Sequence, residues 1–331
     1  MTVLLKNLKM EVNPKNIKLW STLGPRASLG LKILELAKND KDMMVVTCDV
    51  STSAGLDRYR KTLPDQYVDL GIAEQNMIGV ATGLASEKHK VITTTFAPFQ
   101  TLRCCEQIKV NLGYMEEKIT MVGLASGLIL GNLGFTHCCI EDVGVLRSIP
   151  NLNIISPADS LETLKSVEAS IISEKSCYIR ITGGTNNPII YDKDYKFEIG
   201  KAIKLKEGND IVIFGSGVVL SNCLIVAEML KEKNISTEVI NIHTIKPIDK
   251  KTIIESANNK KLVITVEEHN KIGGLGSAVS EVLSEIKNSP KQITLGINDS
   301  YTKSGSYEYL IDFYRLVPDK IIEDILKTLN E

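Results

Sequence analysis

Strand-like runs of four to six residues recur along this chain with helical patterns between them, and that alternation constrains the fold more than any other feature. Met43–Cys48, Val91–Thr95, Ile119–Leu124 and Asn153–Ser156 read as buried strands. Leu29–Ala37, Glu74–Ser86, Phe99–Leu112 and Leu161–Ser173 read as the helices between them. A strand–helix–strand rhythm sets the strands parallel and lays helices on both faces of the sheet. It breaks after Thr182, at Gly183-Gly184-Thr185-Asn186-Asn187-Pro188, and a charged connector runs from Tyr191 to Gly208. Asp210–Phe214 opens a second α/β unit, with Thr237–Asn241 and Leu262–Val266 as further strands and Pro318–Leu329 as its last helix. The expectation is an α/β protein in two units: an N-terminal arm at 1–16, a larger unit at 17–190, a linker at 191–208 and a smaller unit at 209–331. A length of 331 residues suits two domains.

Composition narrows the partners. Lys and Arg number 39 against 40 Asp and Glu, so the basic excess expected of a nucleic-acid binder is missing. The opening residues MTVLLKNLKMEVNPKN lack the continuous apolar core and small-residue cleavage site of a secretory signal. Ile119–Ile140 is free of Asp, Glu, Lys and Arg and long enough to span a bilayer. Its second half, however, holds Gly127, Gly131, Asn132, Gly134, Thr136 and His137, which reads as a buried strand running into a loop, with no membrane involved. Seven cysteines without a C-x-x-C pair, two sets of them vicinal (Cys104-Cys105 and Cys138-Cys139), suit buried thiols in a reducing cytoplasm rather than a zinc site or a disulfide framework.

Generic motifs are weak. Gly215-Ser216-Gly217 follows a strand, but Leu220 stands where a dinucleotide fingerprint needs its third glycine, which leaves a tight strand-to-helix turn. Gly273-Gly274-Leu275-Gly276 lacks the lysine of a phosphate-binding loop. The informative segment is Tyr67–Leu84. A strand there runs into Gly71, and Glu74 stands at the mouth of a helix, at the strand end where open α/β sheets place ligands. An anion is also electrostatically comfortable at a helix N-terminus, so a purely capping glutamate is the alternative. Gly79 and Gly83, one turn apart, give that helix a small-residue stripe for close packing, internal or between subunits.

Gly71-Ile72-Ala73-Glu74-Gln75-Asn76-Met77 resembles the signature of the transketolase family in its pyrimidine-binding domain. Thr95-Phe96-Ala97-Pro98-Phe99 followed by Arg103-Cys104-Cys105-Glu106-Gln107-Ile108 is similar to the family's next strand and helix. Gly131-Asn132-Leu133-Gly134-Phe135-Thr136-His137 matches a loop that usually reads G-E-D-G-x-[ST]-H, and Glu141-Asp142, Arg147 and Ile149-Pro150-Asn151 continue it. Glu267-Glu268-His269-Asn270 with Gly273-Gly274 resembles the family's C-terminal domain. The likeness runs over roughly residues 17–330. It implies a pyrimidine-binding domain, a parallel sheet with helices on both faces, followed by a smaller α/β C-terminal domain. No G-D-G, the mark of the family's diphosphate-binding domain, occurs in the sequence. The expectation is one subunit of a split, two-chain transketolase: an N-terminal-half partner carries G-D-G and most of the Mg2+ site, and two copies of each chain form a heterotetramer.

By family position, Glu74 would hydrogen-bond the ring nitrogen of thiamine diphosphate, and Phe96 and Phe99 would hold the aminopyrimidine, their alternative being ordinary core. His137 would bind the sugar substrate near its reacting carbons. Arg26 and Arg180 match arginines that bind substrate phosphate, a task suited to a guanidinium, although either could be a surface ion pair. Asp49 (cofactor side) and Ser53 (substrate side) match a loop close to both. His269 and the loop around Gly273 would serve the assembly interface. The departures are Leu133 where the family has an aspartate that reads substrate hydroxyls, Ala125 where many members have a histidine, and Leu102 for a frequent tyrosine or glycine. Apolar groups in place of two polar readers imply a non-standard or modified sugar as donor or acceptor. Two other readings share features: the β-subunit of a 2-oxoacid dehydrogenase complex, and a non-catalytic scaffold subunit. Deoxyxylulose-phosphate synthases also carry G-I-A-E-Q, but usually with His where this chain has Asn76.

Overall fold

Alternation at a period of two divides each central strand between two cores. The computed structural model describes residues 10–330; residues 1–9 of the N-terminal arm, on which the reading of the opening segment partly rests, and residue 331 lie outside the described residues. In β1 (Met43–Thr47), Val45 packs with Leu29, Ile33 and Ile92 on one face, while Val46 packs with Met77, Ile78 and Met121 on the other. The strands β2 (Tyr67–Asp69), β3 (Lys90–Phe96), β4 (Ile119–Leu124), β5 (Leu152–Ile155) and β6 (Ser176–Arg180) complete the parallel part of the first sheet. Every residue of β4 is buried, which is why its sequence runs apolar without alternation.

The second unit holds β7 (Ile203–Lys206), β8 (Ile211–Gly215), β9 (Thr237–Asn241), β10 (Thr244–Lys246), β11 (Leu262–Asn270) and β12 (Gln292–Ile297). Its sheet has the order β12-β11-β8-β9-β7, parallel except for β7 on β9. β10 crosses back and pairs antiparallel with β5, so the first sheet has seven strands in the order β10-β5-β6-β4-β3-β1-β2. Part of the charged connector is therefore strand, and part of the second unit's chain belongs to the first sheet.

Local chemistry sets the helix ends. Asn13 Oδ1 accepts from the Asn16 amide at 2.9 Å, and Pro14 opens the Pro14–Leu23 helix. Gly24, at φ +83°, turns the chain into the Pro25–Lys38 helix; a Cβ there would lie 2.5 Å from the Gly184 carbonyl oxygen. That close approach seats Arg26 beside the loop leaving β6. The continuous helix expected over Phe99–Leu112 is broken. Gln100 folds back on β3, accepting from the Thr95 amide at 3.0 Å and donating to Thr93 Oγ1, and the Thr101 hydroxyl donates to the Ala97 carbonyl at 2.7 Å. These side-chain bonds end the Ala97–Gln100 helix, and a widened turn over Ile108–Tyr114 follows the short Cys105–Gln107 piece. Among the described residues no helix is long and apolar enough to cross a membrane, and the charge-free stretch from Ile119 is β4 followed by loop.

Candidate functional site

The carboxyl ends of β2, β1, β3 and β4, neighbours in the sheet, carry the segments singled out above. Asp69, at the end of β2, ties two of them together. Its Oδ1 accepts from the amides of Asp49 and Gly71, both at 3.0 Å, and its Oδ2 from the Tyr67 hydroxyl at 3.3 Å. Burial works against this carboxylate, but the two amides and the Thr47 and Tyr67 hydroxyls outweigh it and hold its pKa below the ordinary value. Gly71, at φ +65°, then turns the chain toward Glu74, the first residue of the Glu74–Ser86 helix. Glu74 is only 4% exposed.

Around Glu74 the structure builds a contiguous group. Phe96 ends β3 and Phe99 lies in the turn after it, with ring centroids 6.4 Å apart and nearly perpendicular. His137 stands edge-on to both, 5.3 Å from Phe99 and 6.2 Å from Phe96, and its Nδ1 is 3.0 Å from Thr136 Oγ1. Arg103 closes the group. Its guanidinium lies 4.3 Å above the Phe99 ring, and its Nη1 donates to Glu74 Oε2 at 2.7 Å. Gln75 Nε2 donates to the Arg103 carbonyl at 3.0 Å, fixing the main chain there. Arg103 belongs to a matching string, but nothing in that string marks it as functional. The available signal is its place four residues beyond Phe99.

The second group is looser. Arg26 is half-buried at the start of its helix, and burial lowers its pKa. The Gly55 backbone packs on it, with a Cβ at Gly55 falling 2.9 Å from the Arg26 carbonyl oxygen, so the loop carrying Asp49 and Ser53 lies on that first turn. Asp49 is exposed, with φ +56°. What these three share with the Glu74 group is the carboxyl end of the sheet.

Arg180 is not brought to either group. It is 2% exposed; its Nε donates to Asp142 Oδ1 and Oδ2 at 3.0 and 2.9 Å, and its Nη2 to the carbonyls of Cys139 and Glu268 at 3.1 and 2.6 Å. The Tyr178 hydroxyl donates to Asp142 as well, and the Glu268 carboxylate accepts from Tyr307 and from the Leu128 amide. Arg180 thus spans the seam between the two units, and the partners it has here are a carboxylate and two main-chain carbonyls of this chain, an arrangement different from the open phosphate ligand expected of it. His269 belongs to the same seam: it is buried, and its Nε2 accepts from the Gly144 amide at 3.3 Å. Gly273 lies against Gly144, and its carbonyl accepts from Arg147, so this loop joins two parts of one chain.

Of the departures from the family pattern, two are exposed and one is buried. Leu133 and Phe135 are 53% and 57% exposed, and Phe135 packs 5.2 Å from Tyr301 of the second unit. The Gly305 amide donates to the Gly131 carbonyl at 3.0 Å, so the second unit braces the loop that carries His137. Leu102 is exposed beside Arg103, whereas Ala125 is fully buried in the turn leaving β4.

Comparison with known proteins bears on this arrangement. Residues 22–185 match the family profile described as transketolase, pyrimidine binding domain, and residues 200–321 the profile described as transketolase, C-terminal domain. The chain is 37% identical over 307 residues to a subunit of the apulose-4-phosphate transketolase of Phocaeicola vulgatus, covering 92% of this chain and 96% of that protein. It is 33% identical over 291 residues to the 6-deoxy-6-sulfo-D-fructose transketolase subunit SqwH of a Clostridium species, covering 88% and 89% of the two. Among solved structures, a split-gene transketolase described as an inactive beta4 tetramer superposes with a TM-score of 0.83 at 32% identity, covering 93% of this chain and 98% of that one.

Proposed function

The chain belongs to the transketolase family, and we propose that it is the pyrimidine-binding subunit of a split, thiamine-diphosphate-dependent transketolase that moves a two-carbon ketol unit from a ketose donor to an aldehyde acceptor. The observation that carries this is the slot between Glu74 and Phe99. It already takes a planar, delocalised, N–H-donating group, the Arg103 guanidinium, with one edge on a buried carboxylate and one face on an aromatic ring. An aminopyrimidine asks for the same two contacts, so the residues fit the cofactor. Bound there, thiamine diphosphate supplies the nucleophilic carbon that attacks a ketose carbonyl and holds the electrons released when the carbon–carbon bond breaks.

The chain's own residues have defined tasks in this reading. Glu74 would hold the ring nitrogen through its buried carboxyl group, a setting that strengthens such a bond. Phe96 and Phe99 orient the ring and keep water from it. His137, with Nδ1 at Thr136, presents its Nε2 to substrate hydroxyls. Arg26, Ser53 and Asp49 lie at the carboxyl end of the sheet, where they would meet the rest of the sugar and its anionic end. Leu133, Phe135 and Tyr301 form an apolar rim suited to a sugar that lacks or has exchanged a hydroxyl. The names of two relatives, for apulose 4-phosphate and for a sulfo-sugar, support a modified substrate. The diphosphate and Mg2+ fall to a partner chain with the G-D-G domain, in an assembly of two copies of each in the cytoplasm. The split-gene relative, inactive as a tetramer of one chain type, supports that dependence.

The test is thiamine diphosphate binding by calorimetry, on this chain alone and mixed with a partner bearing G-D-G, followed by a coupled ketol-transfer assay. Binding and turnover are expected only in the mixture, with Glu74→Ala lowering turnover by about 10²–10⁴. Tight binding by this chain alone, or full turnover by the variant, would overturn the reading.

A further inference from the structure

Arg103 makes two contacts that a bound aminopyrimidine would need for itself. Its Nη1 is 2.7 Å from Glu74 Oε2, and its guanidinium covers the face of Phe99 at 4.3 Å. A ring and a guanidinium cannot occupy that face and that carboxylate edge together. We propose that Arg103 is a built-in placeholder for the aminopyrimidine: it holds Glu74 and covers Phe99 until the cofactor arrives, and then swings out. This rests on reading the slot as the thiamine site.

Three features suit Arg103 to the task. The guanidinium is flat, delocalised and rich in donors, so it imitates the ring in shape and in hydrogen bonding. Arg103 is anchored at its main chain, held by Gln75 through the Arg103 carbonyl, while the side chain is 43% exposed and has solvent to move into. The slot also needs a cation. Glu74 is buried beside Cys48 and Cys104, whose thiols are pushed up by burial first and then by the Glu74 charge. A carboxylate buried among neutral groups without a partner is strongly disfavoured. Arg103 keeps the helix start intact in a subunit that meets its cofactor only after joining another chain.

The experiment uses the two-chain protein with Arg103→Met, which keeps the stem and removes the guanidinium, and with Arg103→Lys, which keeps the charge without the planar fork. Thiamine diphosphate affinity and association rate are read by calorimetry and stopped-flow, and the melting temperature with and without cofactor by calorimetric scanning. The expected result is roughly tenfold tighter and faster binding by Arg103→Met, from removing a partly exposed ion pair and a cation–π contact that compete with the ring. Its melting temperature should fall without cofactor and match the wild type with it, and Arg103→Lys should lie between. Weaker binding by Arg103→Met would mean that Arg103 holds the ring in the loaded site, and unchanged binding that it does not compete; either overturns the placeholder. If Arg103→Met fails to fold, unchanged affinity in Arg103→Lys does the same. Failure of the wild-type pair to bind at all would remove the thiamine reading itself, and the placeholder with it.

Discussion

His243 is fully buried, its ring 4.3 Å from that of Phe197 and its Nδ1 2.9 Å from Thr244 Oγ1. Burial pulls its pKa from 6.5 down to about 4. Between those values the unfolded chain takes up a proton that the folded chain refuses. The contribution is therefore fully present above pH 6.5 and is lost as pH falls toward 4, amounting to about 3 kcal/mol at full titration. Asp159 works the other way. Burial first, and then the nearby Glu162 charge, raise it to about 6, so its ionisation costs stability as pH rises through the same window. The informative quantity is thus a difference between proteins. Urea unfolding of wild type and His243→Gln at pH 4.5 and 7.5 should show a smaller loss on acidification in the variant; equal losses would mean that this ring does not set the slope. At this scale legibility is uneven. Glu74, Phe96, Phe99 and His137 are visible because matching strings fix their backbone positions at neighbouring strand ends, where the structure brings them together. Arg103 and Arg180 are not, because a long side chain can turn to either side of its backbone and the string does not say which. Asp69 escapes for a different reason: it acts through the amides of Asp49 and Gly71, and backbone partners leave no trace in sequence.

Whole elements are readable where one physical signal dominates. The Glu74–Ser86 helix and β4 have the bounds their sequences suggest, the first from its apolar face and the second from unbroken burial. Strands β7, β10 and β12, which the sequence does not announce, lie at sheet edges, where polar residues alternate with apolar ones and the signal weakens. Sequence leaves open whether the small-residue stripe on the Glu74–Ser86 helix packs inside the chain or against another subunit. Methyl groups placed at Gly79 and Gly83 would meet nothing within 4 Å, so no other helix of this chain lies there among the described residues. An open face predicts a gain from alanine. Gly83→Ala should stabilise the isolated chain by about 1 kcal/mol in urea unfolding, the ordinary difference between glycine and alanine in a helix. In the assembled two-chain protein the gain should shrink or reverse if a neighbouring subunit packs on the stripe. A loss already in the isolated chain would mean that self-association covers this face.

At the scale of the molecule, the two units are locked together rather than merely tethered. β10 leaves the second unit to pair with β5, the Ser156 amide donates to the His243 carbonyl at 2.7 Å, and Arg180 reaches from β6 to the Glu268 carbonyl of β11. Sequence alone points to a connector between two independent modules, because strand pairing across units leaves no local pattern. Arg180 decides between that picture and the one observed. As a substrate-phosphate ligand, its loss would raise KM and leave stability nearly untouched. As the buried partner of Asp142, its loss leaves that carboxylate uncompensated, and breaking a buried pair of this kind costs about 3–5 kcal/mol. Arg180→Met should therefore lower the urea midpoint by the corresponding amount. Adding Asp142→Asn should recover part of the loss, since the carboxylate stranded by the first change is then gone. A raised KM with an unchanged midpoint would return Arg180 to the substrate site. The expected pattern, a large single-variant loss partly repaired by the second change, would show that Arg180 serves as the buried partner of Asp142 at the seam between the units.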